Sequence, residues 1–248
     1  MSTMASITRQ VPGLNCPVTA DTFCKSRKIY NCNTEDTSRT SIEAHLPNLQ
    51  KIFVNHKVYK KFAIHSRHGH FKLDEDRILL GTTSTAPLCR WTQQRSIDDV
   101  DPGNIHGHIF VVHDGELIPY EYHEGCYKEN IPERFLDDFI KYILINSLCS
   151  EVALQVLLPE FQDQLMSEIA FEDQTIMVDA EYLNGLEPGN TTCWIFSPRG
   201  YTAGETHAMN PSGRHEKYNV GAPLPDGVKG VCRTLVDRNL LRPNCLTA

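Results

Sequence analysis

The sequence predicts an α/β fold: a mostly parallel sheet with helices on both faces, of the Rossmann-like kind. Three observations predict it. Strand-like and helix-like runs alternate along the chain. The run Ile109-Phe110-Val111-Val112 is continuously apolar, as in a strand buried on both faces. And Phe62-Ala63-Ile64 breaks into the polar turn His65-Ser66-Arg67-His68-Gly69-His70. That is how α/β proteins present reactive groups at the carboxyl ends of strands.

Taken in order, residues 1 to about 45 are rich in Ser, Thr, Asn, Asp and Pro and lack apolar periodicity. They read as an irregular N-terminal arm. Residues 46–248 read as a single α/β catalytic domain, beginning at Leu46. The segment Val58–Ile64 is the first strand. The acids Asp74, Glu75 and Asp76 suit the start of a helix. Asp98 to Asn104 reads as an exposed loop, and Asp114-Gly115 ends the strand at Val112 with a turn. Phe135, Phe139 and Ile143, with Leu136, Ile140 and Leu144, give the strongest helical face, with Asn130 as its cap. A further helix is expected from Pro159 to about Ala170, placing Glu168 on a helix. Short strands follow at Thr175–Asp179 and Thr192–Phe196. After glycine and proline turns, a last helix carries Val228, Val231 and Leu235.

Composition narrows the class. A chain of 28.1 kDa with 40% hydrophobic and 22% charged residues is ordinary for a globular protein. No stretch reaches the length of a membrane-spanning helix. The first residues have no apolar core, so a cytoplasmic location is expected. The nine cysteines include no C-x-x-C pair, which disfavours a zinc ribbon and suits free thiols. Charge is uneven: the first hundred residues are net basic, and residues 101–190 are strongly acidic.

Three constellations carry possible chemistry. His106 and His108 lie two apart, on one face of a strand. With His65, His68 or His70 and a carboxylate such as Asp114 or Glu116 they could ligate a metal. The spacings match none of the stricter metalloprotease patterns, so the expectation is no metal and no other cofactor. Ser66, at a strand end, is a candidate nucleophile. Ile64 and His68 replace the glycines of a hydrolase elbow, which argues against an esterase. Glu168, followed by Asp179 and the aromatic strand at Trp194 and Phe196, is a candidate proton carrier.

The last two constellations, taken together, resemble the cyclodipeptide synthases. Phe62 to Phe71 is similar to the family's strand, nucleophilic serine and polar turn. Ser167-Glu168-Ile169-Ala170, then Met177-Val178-Asp179-Ala180, then Cys193-Trp194-Ile195-Phe196 resembles its glutamate and following strands in order. The fungal arginine-containing branch fits best. The likeness spans about half the chain. It departs where glycine and histidine replace an asparagine–serine pair, and where Gln164 stands for a tyrosine. The resemblance implies two aminoacyl-tRNA substrates and a diketopiperazine product. It implies Ser66 as acyl acceptor and Glu168 as proton shuttle. Lys57, Lys60, Lys61, Arg67 and Lys72 would meet tRNA phosphates. His65, Asp114, Glu116, Asp179, Glu181 and Trp194 would line the substrate site. The competing readings are a histidine-ligated metal-dependent enzyme acting on a small molecule, and a non-catalytic binding protein.

Overall fold

The computed structural model describes residues 9–33, 40–127, 131–219 and 227–247. Their strands are β1 (Phe62–Ser66), β2 (Arg77–Thr85), β3 (Leu88–Ser96), β4 (Ile105–His113), β5 (Glu116–Glu124), β6 (Val152–Val156), β7 (Met166–Ala170), β8 (Gln174–Asp179), β9 (Glu187–Ser197) and β10 (Gly200–Met209). The helices are α1 (Ala20–Asn31), α2 (Thr40–Asn55), α3 (Glu133–Ile145) and α4 (Gly227–Asp237).

The strands close into a barrel in the order β1-β6-β4-β5-β2-β3-β8-β7-β10-β9, and β9 pairs back onto β1. Among the described strands, β2 with β5 and β7 with β10 run parallel, and the other neighbours are antiparallel. The expected parallel, Rossmann-like sheet is therefore corrected. The pairs β2–β3, β4–β5, β7–β8 and β9–β10 fold back as antiparallel hairpins, which a parallel crossover sheet lacks. The β4–β5 hairpin shows the local cause: Asp114 and Gly115 adopt φ of 50° and 79°. Two successive left-handed residues make the turn whose twist matches a two-stranded ribbon.

Alternation along β1 and β6 sends Phe62, Ile64, Val152 and Leu154 outward to the helices and His65 and Gln155 inward. Phe62, Ile64, Val152 and Leu154 belong to an outer cluster under α2 and α3, with Phe53, Phe135 and Phe139. Phe53 meets Phe135 edge-on at 5.2 Å. His56 Nε2 lies 2.8 Å from Asp138 Oδ2, and His45 Nδ1 2.9 Å from the Tyr142 hydroxyl, tying the two helices together. A second outer cluster sits under α4, built from Ile169, Ile176, Val178 and Leu235.

The expected helix from Pro159 to Ala170 is replaced by one short turn at Pro159–Phe161 and then β7. The spacing of Phe161, Leu165 and Ile169 matched a helix. The shorter run Met166 to Ala170 also has the period of a strand, and barrel pairing decides for it. The acids at 74–76 likewise precede β2 and not a helix. The stretch read as an irregular arm holds α1, started by a reciprocal Thr19–Thr22 capping box. α1 packs on β5: Phe23 meets Tyr122 at 5.4 Å, and Ser26 Oγ lies 2.5 Å from both the Pro119 carbonyl oxygen and the Tyr122 hydroxyl. α3 and α4 fall where the apolar periodicity placed helices, while Asn130 lies outside the described residues.

The outer aromatic cluster sets one expectation. Phe135 is fully buried between α2 and β1. Phe135→Ala should cost about 3–5 kcal/mol of stability. The measure is the urea midpoint at unchanged slope; a loss under about 1 kcal/mol would mean the helices do not clamp the barrel as described.

Candidate metal centre

Arg90 on β3, His108 on β4, Gln155 on β6 and Glu205 on β10 touch one another, although most of these strands are not neighbours. Such contacts form only across a barrel interior. This part of the lumen is therefore polar, and Arg90 and Glu205 within it are buried.

Its most concentrated part is built from three segments. β7 brings Glu168 into register with His207 of the parallel strand β10, so the two side chains lie side by side. The turn after β1 brings His68 and His70 over them. Glu168 Oε2 stands 2.8 Å from His70 Nε2, 3.5 Å from His207 Nε2 and 3.6 Å from His68 Nε2. His68 and His207 approach to 3.3 Å through their Nε2 atoms. One ligand atom from each of the four residues lies within 4.8 Å of the others, and all four residues are buried. Ligands held about 2.0–2.2 Å from a shared ion sit roughly 3–3.5 Å apart, and the four contacts of 2.8–3.6 Å here lie close to that range.

The surroundings orient these rings. His68 Nδ1 donates to the Ser66 carbonyl at 2.8 Å, which turns Nε2 toward Glu168. His215 stacks on His207 at 4.0 Å and 10°. His215 Nδ1 donates to the Ala208 carbonyl at 2.9 Å, and its buried Nε2 has no partner in the protein. Burial pushes His207 down to about 3, helped by His68 and His215 and opposed by Glu168. Burial would raise Glu168, but His70, His207 and His68 hold it well below the usual carboxylate range. His68 moves up: burial works against its charge, and the Glu168 carboxylate overcomes it. Without an ion, shared protons balance this carboxylate; an ion would displace them.

Of the residues singled out from sequence, Glu168, His65, His68, His70 and His108 lie in this interior. His65 stacks on His68 at 5.0 Å, and its Nε2 is 3.8 Å from Glu205 Oε2. Ser66 is only 4% exposed, and its hydroxyl lies 3.4 Å from the His68 Nδ1 that already serves the Ser66 carbonyl. Trp194 is buried in the outer cluster under the helices. Asp114 and Glu116 are exposed at the β4–β5 hairpin, and Glu181 is exposed beyond β8. Asp179 accepts from the Glu181 amide at 2.9 Å. Lys57, Lys60 and Lys72 are exposed; Lys61 and Arg67 are half-buried. Arg67 donates to Asn33 and to the Cys149 and Ile29 carbonyls, which makes it a tie between α1 and the barrel.

His106 and His108, weighed from the sequence as possible ligands though no metal was expected, lie on β4 outside the four-residue cluster. His106 Nδ1 is bound to the Gly125 carbonyl at 2.7 Å. Sequence reasoning passed over His207, His215, Arg90 and Glu205. The alternation Glu205-Thr206-His207 was the available signal, masked by nearby glycines. One of these, Gly204, is needed for packing: a Cβ there would meet Ile195 Cδ1 at 2.6 Å.

No family model, curated protein or solved structure matches the chain. The reading of the site rests on its own chemistry.

Glu121 of β5 also belongs to this interior, half-buried opposite Ile109. Burial raises its carboxyl to about 7; Arg90 opposes the rise and Glu168 adds to it. The folded state thus holds this proton more tightly than the unfolded chain, whose value is 4.5. The resulting stability is present below about pH 4.5 and is lost as pH rises through about 7. In metal-stripped protein, Glu121→Gln should therefore gain on the wild type in melting temperature between pH 5 and 7. Parallel pH profiles for the two proteins would contradict this.

Proposed function

We propose that this protein is a metal-dependent enzyme acting on a small molecule inside its barrel, with one divalent first-row transition ion held by His68, His70, Glu168 and His207. The observation that carries the reading is the convergence of four ligand atoms on one buried point from three separate segments. Three imidazoles and one carboxylate, with no thiolate, suit zinc, iron, nickel, copper or manganese. In six-coordination, four protein ligands leave two positions for water and substrate. A bound ion would polarise a substrate oxygen or lower the pKa of its water. Glu121, with its carboxyl near neutrality, is placed to accept or return a proton at the same interior.

The aminoacyl-transfer reading has less in its favour. It needs Ser66 as a free nucleophile and Glu168 as a mobile proton carrier. Ser66 is nearly closed to solvent, and Glu168 is held among three imidazoles.

Elemental analysis of the purified protein should find about one transition ion per chain, with near-complete loss in Glu168→Ala and His207→Ala. His113→Ala, at an exposed histidine, should keep it. Re-adding metal at about 100 times its Kd should stabilise the stripped wild type by about 2.7 kcal/mol. Ser66→Ala should retain the metal. A folded wild type that binds none of the five ions and shows no thermal shift would end this reading.

A further inference from the structure

His215 lies outside the four-residue cage, yet it touches two of its rings. Its imidazole stacks on His207, with centroids 4.0 Å apart and planes 10° from parallel. The His70 ring lies 5.1 Å away at 57°.

The chain is built to bring it there. β10 ends at Met209, and the chain turns straight back through Asn210-Pro211-Ser212-Gly213-Arg214. Asn210 holds the turn. Its Oδ1 accepts from the Ser212 and Arg214 amides at 2.9 and 3.0 Å. Its own amide donates to the Arg214 carbonyl at 2.9 Å, and its carbonyl accepts from the Gly213 amide at 2.8 Å. Gly213 supplies the left-handed residue, at φ 72°. The loop then closes on the two strands that carry Glu168 and His207. His215 Nδ1 donates at 2.9 Å to the carbonyl of Ala208, the residue after His207. Further on, the Tyr218 amide donates at 2.8 Å to the carbonyl of Ala170, the last residue of β7. Arg214 and Glu216 are exposed, while His215 between them is half-buried against the cage.

A histidine ligand needs more than proximity. Its ring turns about the bond to Cβ over a broad, roughly two-fold torsion. A half-turn puts a carbon where Nε2 stood and ends ligation. Metal sites ordinarily fix this angle through groups that do not touch the ion. For His68 the Ser66 carbonyl does so, at 2.8 Å from Nδ1. For His207 the restraint acts on the ring face. A ring lying flat at 4.0 Å leaves no room for the edge-on orientation through which a half-turn must pass.

We propose that His215 is a positioning residue for the metal centre, acting through the His207 ring and not as a ligand itself. The part that acts is its flat aromatic face, so phenylalanine should replace it and alanine should not. As an aid to metal binding this rests on the metal-dependent reading; as a restraint on the His207 ring it stands by itself.

The test compares wild type, His215→Ala and His215→Phe, each stripped of metal and folded. Calorimetric titration with zinc gives one readout, and NMR of the His207 ring nitrogens in the ion-free proteins gives the other. His215→Ala should weaken zinc about 10–100-fold, the usual cost of losing an outer-shell partner of a ligand. His215→Phe should stay within about threefold of wild type, because it keeps the stacked face. Without an ion, His207 should show one fixed ring environment in wild type and in His215→Phe, and a motionally averaged one in His215→Ala. Unchanged zinc affinity and a fixed His207 ring in His215→Ala would overturn the positioning role and leave the metal reading standing. Zinc binding as weak in His215→Phe as in His215→Ala would show that a ring nitrogen acts directly, and would also overturn the proposal. A wild type that binds no zinc, with the His207 ring freed only in His215→Ala, would overturn the metal reading and keep the restraint.

Discussion

The carboxylate of Glu168 is the group around which the interior is arranged. It is only 7% exposed, and a carboxylate withdrawn from water must be met by charge or donors. Three imidazoles meet it here, and each has to be carried in by a different part of the chain or a different turn of the same loop. His207 arrives because β10 pairs in parallel with β7 at this residue. His68 and His70 arrive because the turn after β1 folds over the barrel mouth. The balance this achieves is the one a divalent cation would complete, since the cation would neutralise the carboxylate and leave the rings in their ligating, neutral form.

The cage is possible because the barrel separates two environments. Outward side chains of β1, β6, β7 and β8 are apolar and are covered by α2, α3 and α4. The burial of aromatic and aliphatic groups there, about 1.5–3 kcal/mol for each side chain, supplies the stability of the shell. The lumen is then free to hold Arg90, Glu121, Glu168, Glu205 and several histidines, whose desolvation would unfold a less well-anchored structure. Barrel closure also removes exposed strand edges, so the polar interior costs no unpaired ladder.

Two neighbouring regions of the lumen differ in character. The cage concentrates ligand nitrogens around one oxygen. The group at Arg90, His108, Gln155 and Glu205 instead pairs a buried cation with a buried carboxylate. His65 lies between them, and burial keeps its ring neutral, with His68 adding to the effect.

The chain by itself determined local matters. Apolar periodicity located α3 and α4, and the apolar runs located β4 and β8, because those patterns are set by neighbours a few residues apart. It also marked His68, His70 and Glu168 as residues with chemistry in them. It did not determine which strands pair. Parallel and antiparallel partners bury similar side chains, so Ile109–Val112 reads alike in either sheet. Nor could it show that Glu168 and His207, 39 positions apart, stand side by side. That proximity is created by the register of β7 against β10, and register depends on closing all ten strands into one ring. The same closure turned Trp194 outward and His65 inward, converting a strand-and-turn motif that reads as a nucleophile into one side of a buried cluster of three histidines and a carboxylate.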